Sequence, residues 1–382
     1  MTFGKIIKYV FVWQIAIIFV TAVSGLFFPL HPVFLGGRDH ANLANPEPYF
    51  TNTLLYSRGN FDGIHYVEMA RRGYDNLQQA FFPLYSKLIR FLTPLFKDST
   101  LGAVVLSTVS FTIGLYLLHK LIKLDYPDSI ANLVIILLLV FPVSFFFSFV
   151  YTEGLFFLLV VGSFYASRKH KWLLAGLLGG LASYTRFVGI LLFPALLFEF
   201  WEKHKDTKNL KLKIINLIPL LLIPMGLLVY MQFLQKTTGD PLAFIHVQKY
   251  FLQGRSDKII LLYQVFWRYI KMVATVDKGN PLYPTVILEF ATGILFTILS
   301  VLTFFKTRIS YSFFAIASFI IPTLTGTFTS LPRYMLISFP AFIMLAMGIN
   351  KLNKPTRIAI LVVSAIIQSI FLAMFVRGYW VA

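Results

Sequence analysis

The chain has 382 residues, of which 57% are hydrophobic and only 13% are charged, and its mean hydropathy is +0.74. Soluble domains carry about a quarter charged residues, so this composition excludes an ordinary soluble protein and predicts an integral membrane protein. The net charge of +18 does not indicate nucleic-acid binding, because the basic residues stand in short clusters between apolar runs, and the absence of cysteine excludes disulfides and cysteine-ligated zinc.

The first apolar run extends from about Ile7 to Leu30 and follows Lys5 and Lys8. It is too long for a secretory signal and no small-residue cleavage site follows it, so we expect a retained transmembrane helix. Later runs are also long enough to cross a hydrocarbon core of about 30 Å as helices. They lie near residues 100–118, 129–149, 152–167, 172–184, 187–201, 214–234, 285–305, 311–327, 334–349 and 357–377.

The run 172–201 permits two interpretations, one long tilted helix or two short helices broken around "SYTRFVG". The dense basic loops are "HKLIK", "RKHK", "EKHKDTKNLKLK", "KTR" and "NKLNKPTR". They all fall on the cytoplasmic side only if this run crosses twice. The pattern therefore predicts an all-α polytopic protein with about eleven spans. Residues 1–382 form a single domain, with a first outer loop at 31–99 and a second at 235–284.

The first outer loop contains "RGNFDGIHYVEMARRGYDNLQQAFFPLYSKLIR", residues 58–90. Asn60 as N-cap and Gly73 after the last turn predict a short helix over 61–72. One face of that helix carries Asp62, His65, Tyr66 and Met69. Residues 80–96 are apolar, but proline interrupts them and they are too short to span, so we expect a second interfacial or re-entrant helix.

The residues of this loop could also have purely structural roles. Asp62 would cap the helix or pair with Arg58, and His65 would be an ordinary interfacial histidine. No companion histidine or carboxylate stands at metal-ligand spacing, so the sequence predicts no metal site and no cofactor. A G-x-S-x-G nucleophile motif is also missing.

Three ionisable residues stand at the outer ends of separate apolar segments: Glu153 in "FVYTEGLFF", Arg186 in "SYTRFVG" and Arg333 in "SLPRYML". Each alone fits a helix-terminal charge. Because charges at membrane depth tend to face a cavity, the three together indicate an outward cavity in which an acid faces arginines. Such a cavity suits attack of a hydroxyl on a sugar carbon, with a carboxylate as base and guanidinium groups holding a leaving phosphate.

At this point the sequence resembles a known family. "RGNFDGIHYVEMARRGY" followed by "AFFPLY" is similar to the W-D-x-x-H-[FY] and A-F-F-P signature of the PIG-V type of glycosylphosphatidylinositol mannosyltransferase and its prokaryotic relatives, in the GT-C superfamily. The segments "YTEGLFFLL", "AGLLGGLASYTRFVGILL", "GDPLAFIHVQ" and "LPRYMLISFPAFIMLA" resemble later family segments in order. Phe61 stands where the family usually has tryptophan, which keeps an aromatic wall beside the aspartate.

The resemblance implies a GT-C-type bundle with metal-independent, inverting transfer of a monosaccharide, commonly mannose, from a polyprenyl-phosphate-linked donor to a lipid or glycan hydroxyl. Asp62 maps onto the family's base and His65 onto its histidine, and both are expected to be catalytic. Glu153, Arg186 and Arg333 map onto its other polar positions. The expected donor-phosphate residues are Arg186, Arg333 and Arg58, and the expected substrate-cavity residues are Glu153, Tyr66, Tyr151, Tyr334 and Asp240.

Besides the donor and acceptor, the expected partners are membrane lipids, and nucleic acid is not expected. The missing large lumenal insertions favour a prokaryotic plasma membrane with an outward active site, or a lumen-facing site in the endoplasmic reticulum if the source is eukaryotic. Two other functions stay open: a transporter or flippase of lipid-linked sugars, and a non-catalytic subunit that binds a polyprenyl lipid. Against transport, no inverted repeat is visible and the charges gather at one membrane face.

Overall fold

The computed structural model describes residues 1–37, 47–75, 77–206, 209–250, 254–256 and 258–382. Within these ranges the regular structure is helical, which confirms the all-α prediction. The first α-helices are α1 (Phe3–Val23), α2 (Glu47–Thr51), α3 (Thr53–Tyr56), α4 (Asp62–Arg72), α5 (Pro83–Phe96), α6 (Ser99–Ile122), α7 (Asp128–Val140), α8 (Glu153–Arg168) and α9 (Trp172–Ser183).

The chain continues as α10 (Leu192–His204), α11 (Leu210–Leu217), α12 (Leu222–Thr238), α13 (Ala243–His246), α14 (Leu262–Thr275), α15 (Tyr283–Lys306), α16 (Ile309–Thr323), α17 (Leu331–Tyr334), α18 (Phe339–Asn350) and α19 (Lys354–Val376). Short 3-10 helices lie at Ser24–Leu26, Ser57–Gly59, Gln78–Ala80, Ser144–Ser148, Phe187–Leu191, Ile218–Leu221, Val247–Tyr250 and Met335–Ile337.

Among the described residues, five helices are long and apolar enough to cross a membrane, or six if the pair Leu331–Ile337 and Phe339–Asn350, bent by 87°, is one span. The five are Phe3–Leu26, Ser99–Ile122, Lys213–Thr238, Tyr283–Lys306 and Lys354–Val376. Shorter apolar helices account for several other predicted spans, so the multi-pass architecture stands and the count of eleven is not confirmed. The prediction 129–149 is wrong in extent: α7 ends at Val140, because Phe141 precedes a proline, and residues before proline disfavour helix.

The run 172–201 is divided into two helices, α9 and α10, as the second of the two interpretations predicts. At one end of the bundle Arg168, just before α9, lies 3.6 Å from Glu199 of α10, and Arg308 donates to the same carboxylate at 2.9 Å. Between α9 and α10, Arg186 donates to Glu153 at the start of α8, at the opposite end. The chain therefore leaves the first end along α9 and returns along α10.

We call the end that carries α2 to α5, α13 and α14 the loop face. Phe82 before α5 packs edge-to-face on Phe244 of α13, with ring centroids 5.4 Å apart. Arg268 of α14 donates to the Gly326 carbonyl between α16 and α17 at 2.7 Å. The two long loops thus meet over the same helix ends.

Helix α4 begins one residue later than predicted, and Asn60 is not its N-cap. The N-cap position is Phe61, with φ of 56°. The Asn60 amide is used elsewhere, since it accepts from the Gly36 N–H at 2.7 Å and donates to the Phe375 carbonyl at 2.9 Å. The Phe61 ring packs on the rings of Phe375 and Trp380, and this packing holds the left-handed backbone that aims the next residue inward.

Candidate active site

The first residue of α4 faces an arginine from the other half of the chain. The Asp62 carboxylate accepts a hydrogen bond of 2.7 Å from Arg333 of α17, and its side chain is 18% exposed. Burial raises the pKa of the Asp62 carboxyl, but the charge and the hydrogen bond of Arg333 more than offset this, so its pKa lies below the ordinary value. Asp62 is therefore ionised at neutral pH.

A second carboxylate lies on the other side of the same guanidinium. Glu153 is 1% exposed, and its Oε1 lies 3.6 Å from Arg333 Nε and accepts from Arg186 at 2.7 Å. The second oxygen, Oε2, is buried and has no hydrogen-bond partner among the described residues. Two acids and two arginines from four separate segments form one electrostatic cluster at the loop face.

The ring of Tyr334 lies among three guanidinium groups. Arg186 and Arg333 lie 5.1 Å and 5.5 Å from its ring centroid, and Arg255 lies 6.0 Å away. The Tyr334 hydroxyl accepts a hydrogen bond from Arg255 at 2.7 Å, and Arg255 also bonds Gln248. Cation–π contacts of this kind hold the three positive groups close to one another without neutralising them.

These groups surround a cavity of ≈ 320 Å³. Its charged lining residues are Asp62, Glu153, Arg186, Arg255 and Arg333. Apolar walls come from Phe81 and Phe82 on one side and from α13 and α16 on the other. Among the described residues of the lining, three guanidinium groups against two carboxylates leave one positive charge in excess, which favours a singly or doubly charged anion.

The turn that presents Arg333 is held from inside the bundle. Ser330, with φ of 64°, precedes α17, and its N–H donates to Glu289 Oε1 at 3.1 Å. The other oxygen of Glu289 accepts from the Tyr269 hydroxyl at 2.6 Å. The Ser330 hydroxyl in turn accepts a long hydrogen bond of 3.4 Å from Arg333. Glu289 thus fixes the turn on which the cavity arginine stands.

Of the predicted site residues, Asp62, Tyr66, Glu153, Arg186, Arg333 and Tyr334 line this one cavity. Two others lie just behind the lining. The Tyr151 ring packs 5.1 Å below the Arg333 guanidinium, and its hydroxyl donates to the Asn60 carbonyl at 2.8 Å. The His65 ring stacks on Phe81 at 4.7 Å, so it supports the cavity wall.

Two predicted residues are placed elsewhere. Arg58 is buried, donates to Gln14 at 2.9 Å and to the Leu54 carbonyl at 3.3 Å, and is not among the cavity-lining residues. Burial lowers the pKa of its guanidinium to about 10. Asp240 lies at the surface, where it accepts from His246 at 2.6 Å. Asp62 therefore pairs with Arg333 and not with the neighbouring Arg58.

Sequence reasoning missed Arg255, Gln248 and Glu289. Arg255 and Gln248 lie in the second long loop, where a charged or polar residue is ordinary, so no local pattern distinguishes them. Glu289 carried a usable signal, because a carboxylate inside an apolar span is expensive unless it has a structural or functional role.

Among the described residues, no group of three or more histidine, aspartate or glutamate side chains is arranged to hold a metal ion. The two cavity carboxylates are each engaged by an arginine. The cavity is therefore built for an anion, which its guanidinium groups can bind directly.

A family model described as dolichyl-phosphate-mannose-protein mannosyltransferase matches residues 80–230, less than half of the chain. No curated protein matches the chain. The matched segment covers α5 to α11 and the first part of α12, and thus includes Glu153 and Arg186.

Solved structures give a similarity of fold. ArnT from Cupriavidus metallidurans bound to undecaprenyl phosphate is 14% identical, with a TM-score of 0.54 over 95% of this chain and 63% of that chain. The apo form of the same protein is also 14% identical, with a TM-score of 0.50 over 93% of this chain and 62% of that chain. The oligosaccharyltransferase of Archaeoglobus fulgidus is 14% identical, with a TM-score of 0.48 over 97% of this chain and 53% of that chain. The chain thus spans less than two thirds of the length of ArnT. The resemblance to the GT-C superfamily is confirmed at the level of the fold, and the PIG-V type stays a prediction.

Proposed function

We propose that this multi-pass membrane protein is a GT-C-type glycosyltransferase. It transfers a monosaccharide, with mannose as the first choice, from a polyprenyl-phosphate-linked donor to a hydroxyl of a lipid or glycan acceptor on the extracytoplasmic side. The observation that carries the proposal is the cavity at the loop face in which Asp62 and Glu153 meet Arg186, Arg255 and Arg333.

Asp62 is the proposed base. The acceptor oxygen attacks the anomeric carbon of the sugar, its proton passes to the Asp62 carboxylate, and the bond from that carbon to the phosphate oxygen breaks. The electron pair leaves with the polyprenyl phosphate, and the configuration inverts because one displacement occurs. The lowered pKa of Asp62 keeps the carboxylate ready to accept a proton at neutral pH, although it also makes it a weak base.

The arginines are the proposed phosphate ligands. Charge grows on the leaving phosphate during the reaction, and guanidinium groups that already point into the cavity stabilise it most in the transition state. A phosphate that draws Arg333 toward itself also weakens the hydrogen bond to Asp62. The pKa of Asp62 then rises, so donor binding strengthens the base when a reacting sugar is present.

The comparisons support this choice of donor. The family description names dolichyl-phosphate mannose, and the ArnT structure with the similar fold contains undecaprenyl phosphate. Both compounds join a long polyprenyl chain to a phosphate. A cavity between membrane helices with one excess positive charge is compatible with that chemistry.

The test is an assay with membranes that contain the full chain and a polyprenyl-phosphate [³H]mannose donor. Asp62→Asn, which keeps the shape and removes the charge, is expected to lose sugar transfer by about 10²-fold or more. The matched control is Asp277→Asn, an exposed loop aspartate on the same face. Full activity of Asp62→Asn would exclude Asp62 as the base.

The same membranes separate the alternatives. If the labelled donor moves across the vesicle membrane and no glycosidic product forms, a transporter of lipid-linked sugars is favoured. Transfer that appears only after another membrane protein is added would favour a lipid-binding subunit. Transfer by the purified chain alone supports the enzyme.

A further inference from the structure

A second and larger cavity of ≈ 560 Å³ lies at the loop face, between the end of α4, the polar side of α5 and the last turn of α12. Its lining includes Lys87 and Arg90 from α5, Tyr74 after α4, Tyr184 and Thr238. None of these residues has a role in the reaction proposed above.

Two cations of α5, both exposed, make hydrogen bonds to neighbouring groups at this cavity. Lys87 Nζ donates to the Tyr184 hydroxyl at 2.6 Å and lies 5.1 Å from that ring. Arg90 donates through Nε to the Ala70 carbonyl at 2.6 Å and through its second nitrogen to the Met69 carbonyl at 3.4 Å. These bonds anchor Lys87 to the residue after α9 and Arg90 to the last turns of α4. They use one of three N–H groups in Lys87 and two of five in Arg90, and the rest can bind a ligand.

A third polar group points to a ligand. Ser86 lines the same cavity and is 3% exposed, and its hydroxyl has no hydrogen-bond partner among the described residues. A buried hydroxyl without a partner is less stable than one that makes a hydrogen bond. Beside two cations, this hydroxyl is suited to complete the coordination of an anion.

The two cavities are neighbours. Residues 78–82 separate them, since Phe81 and Phe82 line the active-site cavity, and Gln79 and Pro83 line the second one. Helix α4 touches both, with Asp62 in the first and Met69 in the second. These two residues are seven positions apart, which is about 10 Å along a helix.

We propose that the second cavity binds a phosphate group in the head of the lipid acceptor, while a hydroxyl about 10 Å further along the same molecule reaches Asp62. This inference rests on the proposed function and names the class of acceptor. The two cations and the buried hydroxyl favour a phosphate ester over a neutral glycan. Lys87 and Arg90 together outnumber Asp75, which is the carboxylate in the lining.

A lipid is favoured over a soluble phosphate because the cavity opens beside surfaces that face the membrane. Phe233 of α12 lines the cavity and is 37% exposed, and Phe91 and Leu95 on the outer side of α5 are more exposed still. An acyl or prenyl chain can follow these apolar surfaces while its head group occupies the cavity.

The experiment measures lipid binding to the purified full chain without donor, by native mass spectrometry. The probes are dihexanoyl phosphatidic acid, which carries a phosphate ester, dihexanoylglycerol, which lacks it, and inorganic phosphate. Lys87→Ala is expected to weaken phosphatidic acid binding about tenfold, since a charge-assisted hydrogen bond is lost. Lys236→Ala, an exposed lysine of α12 outside the cavity lining, is the matched control and is expected to bind as the wild type does.

Equal binding by wild type and Lys87→Ala would overturn the proposal, and so would equal binding of dihexanoylglycerol and phosphatidic acid. Competition by inorganic phosphate at the same concentration would overturn the assignment to a lipid. Loss of phosphatidic acid binding in Arg186→Ala would place the probe in the active-site cavity instead. Because no donor is present, the result is independent of sugar transfer: a protein that binds the probe through Lys87 but transfers no sugar contradicts the proposed function and not this site.

Discussion

The Asp62 carboxylate accepts a hydrogen bond of 2.7 Å from Arg333, although 271 residues separate the two along the chain. This contact joins α4, in the first outer loop, to the turn before α18, and it places the acid of α4 beside a cavity arginine. Burial raises the pKa of Asp62, and Arg333 is the main group that lowers it. With Arg333, Asp62 is an ionised acid whose basicity depends on what else the guanidinium binds.

The contact predicts how the rate depends on pH. Transfer requires ionised Asp62, so the rate falls as pH drops through the pKa of this carboxyl. In the wild type that pKa is below its ordinary value of about 4, and no inflection from Asp62 is expected between about pH 5 and pH 7. In Arg333→Gln the lowering charge is gone and burial raises the pKa, so the acidic limb of the residual activity is expected to move to higher pH.

The measurement is the initial rate of donor consumption from about pH 4 to pH 8. Arg308→Gln is the control, because Arg308 is bound to Glu199 at the opposite end of the bundle. An acidic limb that stays in place or moves to lower pH in Arg333→Gln would show that Asp62 is not the titrating base.

Glu153 is predicted to stabilise the fold as well as the cavity. Glu153→Ala removes a buried carboxylate and leaves Arg186 without its 2.7 Å partner and Arg333 with one carboxylate fewer. Breaking a buried ion pair from one side costs about 3–5 kcal/mol, so a clear fall in the thermal unfolding midpoint in detergent is expected.

Glu202→Ala provides the comparison, since Glu202 pairs with Arg308 but is 51% exposed. Exposed pairs contribute about 0–1 kcal/mol, and little change is expected. Equal shifts in the two variants would contradict the assignment of Glu153 to a buried network.

Arg58 and Arg186 are predicted to differ in what they do. Arg58 is bound to Gln14 and to the Leu54 carbonyl behind the cavity, so Arg58→Gln is expected to lower the free energy of unfolding by about 1–3 kcal/mol. Arg186→Gln removes a cavity guanidinium and is expected to raise the donor KM about tenfold. The donor KM of each variant is measured in the labelled-donor assay, and its free energy of unfolding is measured in parallel. A tenfold rise in donor KM for Arg58→Gln would instead favour the phosphate role that the family resemblance implies.

Much of the site was predictable because its chemistry leaves local marks. Glu153, Arg186 and Arg333 are charges beside long apolar segments, and charge bias in the loops put them at one end of the bundle. The short helix of the first loop was visible from its glycine stop and its basic last turn. The division of 172–201 into two helices agrees with the interpretation that the same charge bias favoured.

The rest depended on contacts that no local pattern records. Arg58 is close to Asp62 in sequence, yet its side chain points toward α1, and the partner of Asp62 comes from α17. Asn60 is a residue type that often caps helices, but its side-chain amide donates to the Phe375 carbonyl at the end of α19. Arg255 enters the cavity from a long loop because Tyr334 and Gln248 hold it there. The count of eleven spans is not confirmed, because several apolar runs fold as helices shorter than a full membrane span.

Glu289 is predicted to position Arg333 without touching substrate. Its carboxylate accepts from the Ser330 N–H at 3.1 Å and from the Tyr269 hydroxyl at 2.6 Å, and Ser330 begins the turn that carries Arg333. Glu289→Ala leaves a buried N–H without its acceptor, so the turn loses its anchor and the guanidinium its direction.

Three variants separate positioning from simple loss of stability. Glu289→Gln keeps an oxygen for the Ser330 N–H and offers an amide to Tyr269, so it is expected to restore most of the activity that Glu289→Ala loses. Ser300→Ala on the same helix is the control, because the Ser300 hydroxyl is buried without a hydrogen-bond partner among the described residues. In Glu289→Ala we expect kcat for sugar transfer to fall about tenfold, because a misdirected guanidinium loses about one charge-assisted hydrogen bond in the transition state. A positioning role requires this fall at a temperature where the variant is still folded. Unchanged kcat in Glu289→Ala would show that the turn holds Arg333 without Glu289. An equal fall in Glu289→Gln would contradict positioning through the hydrogen bonds of this side chain.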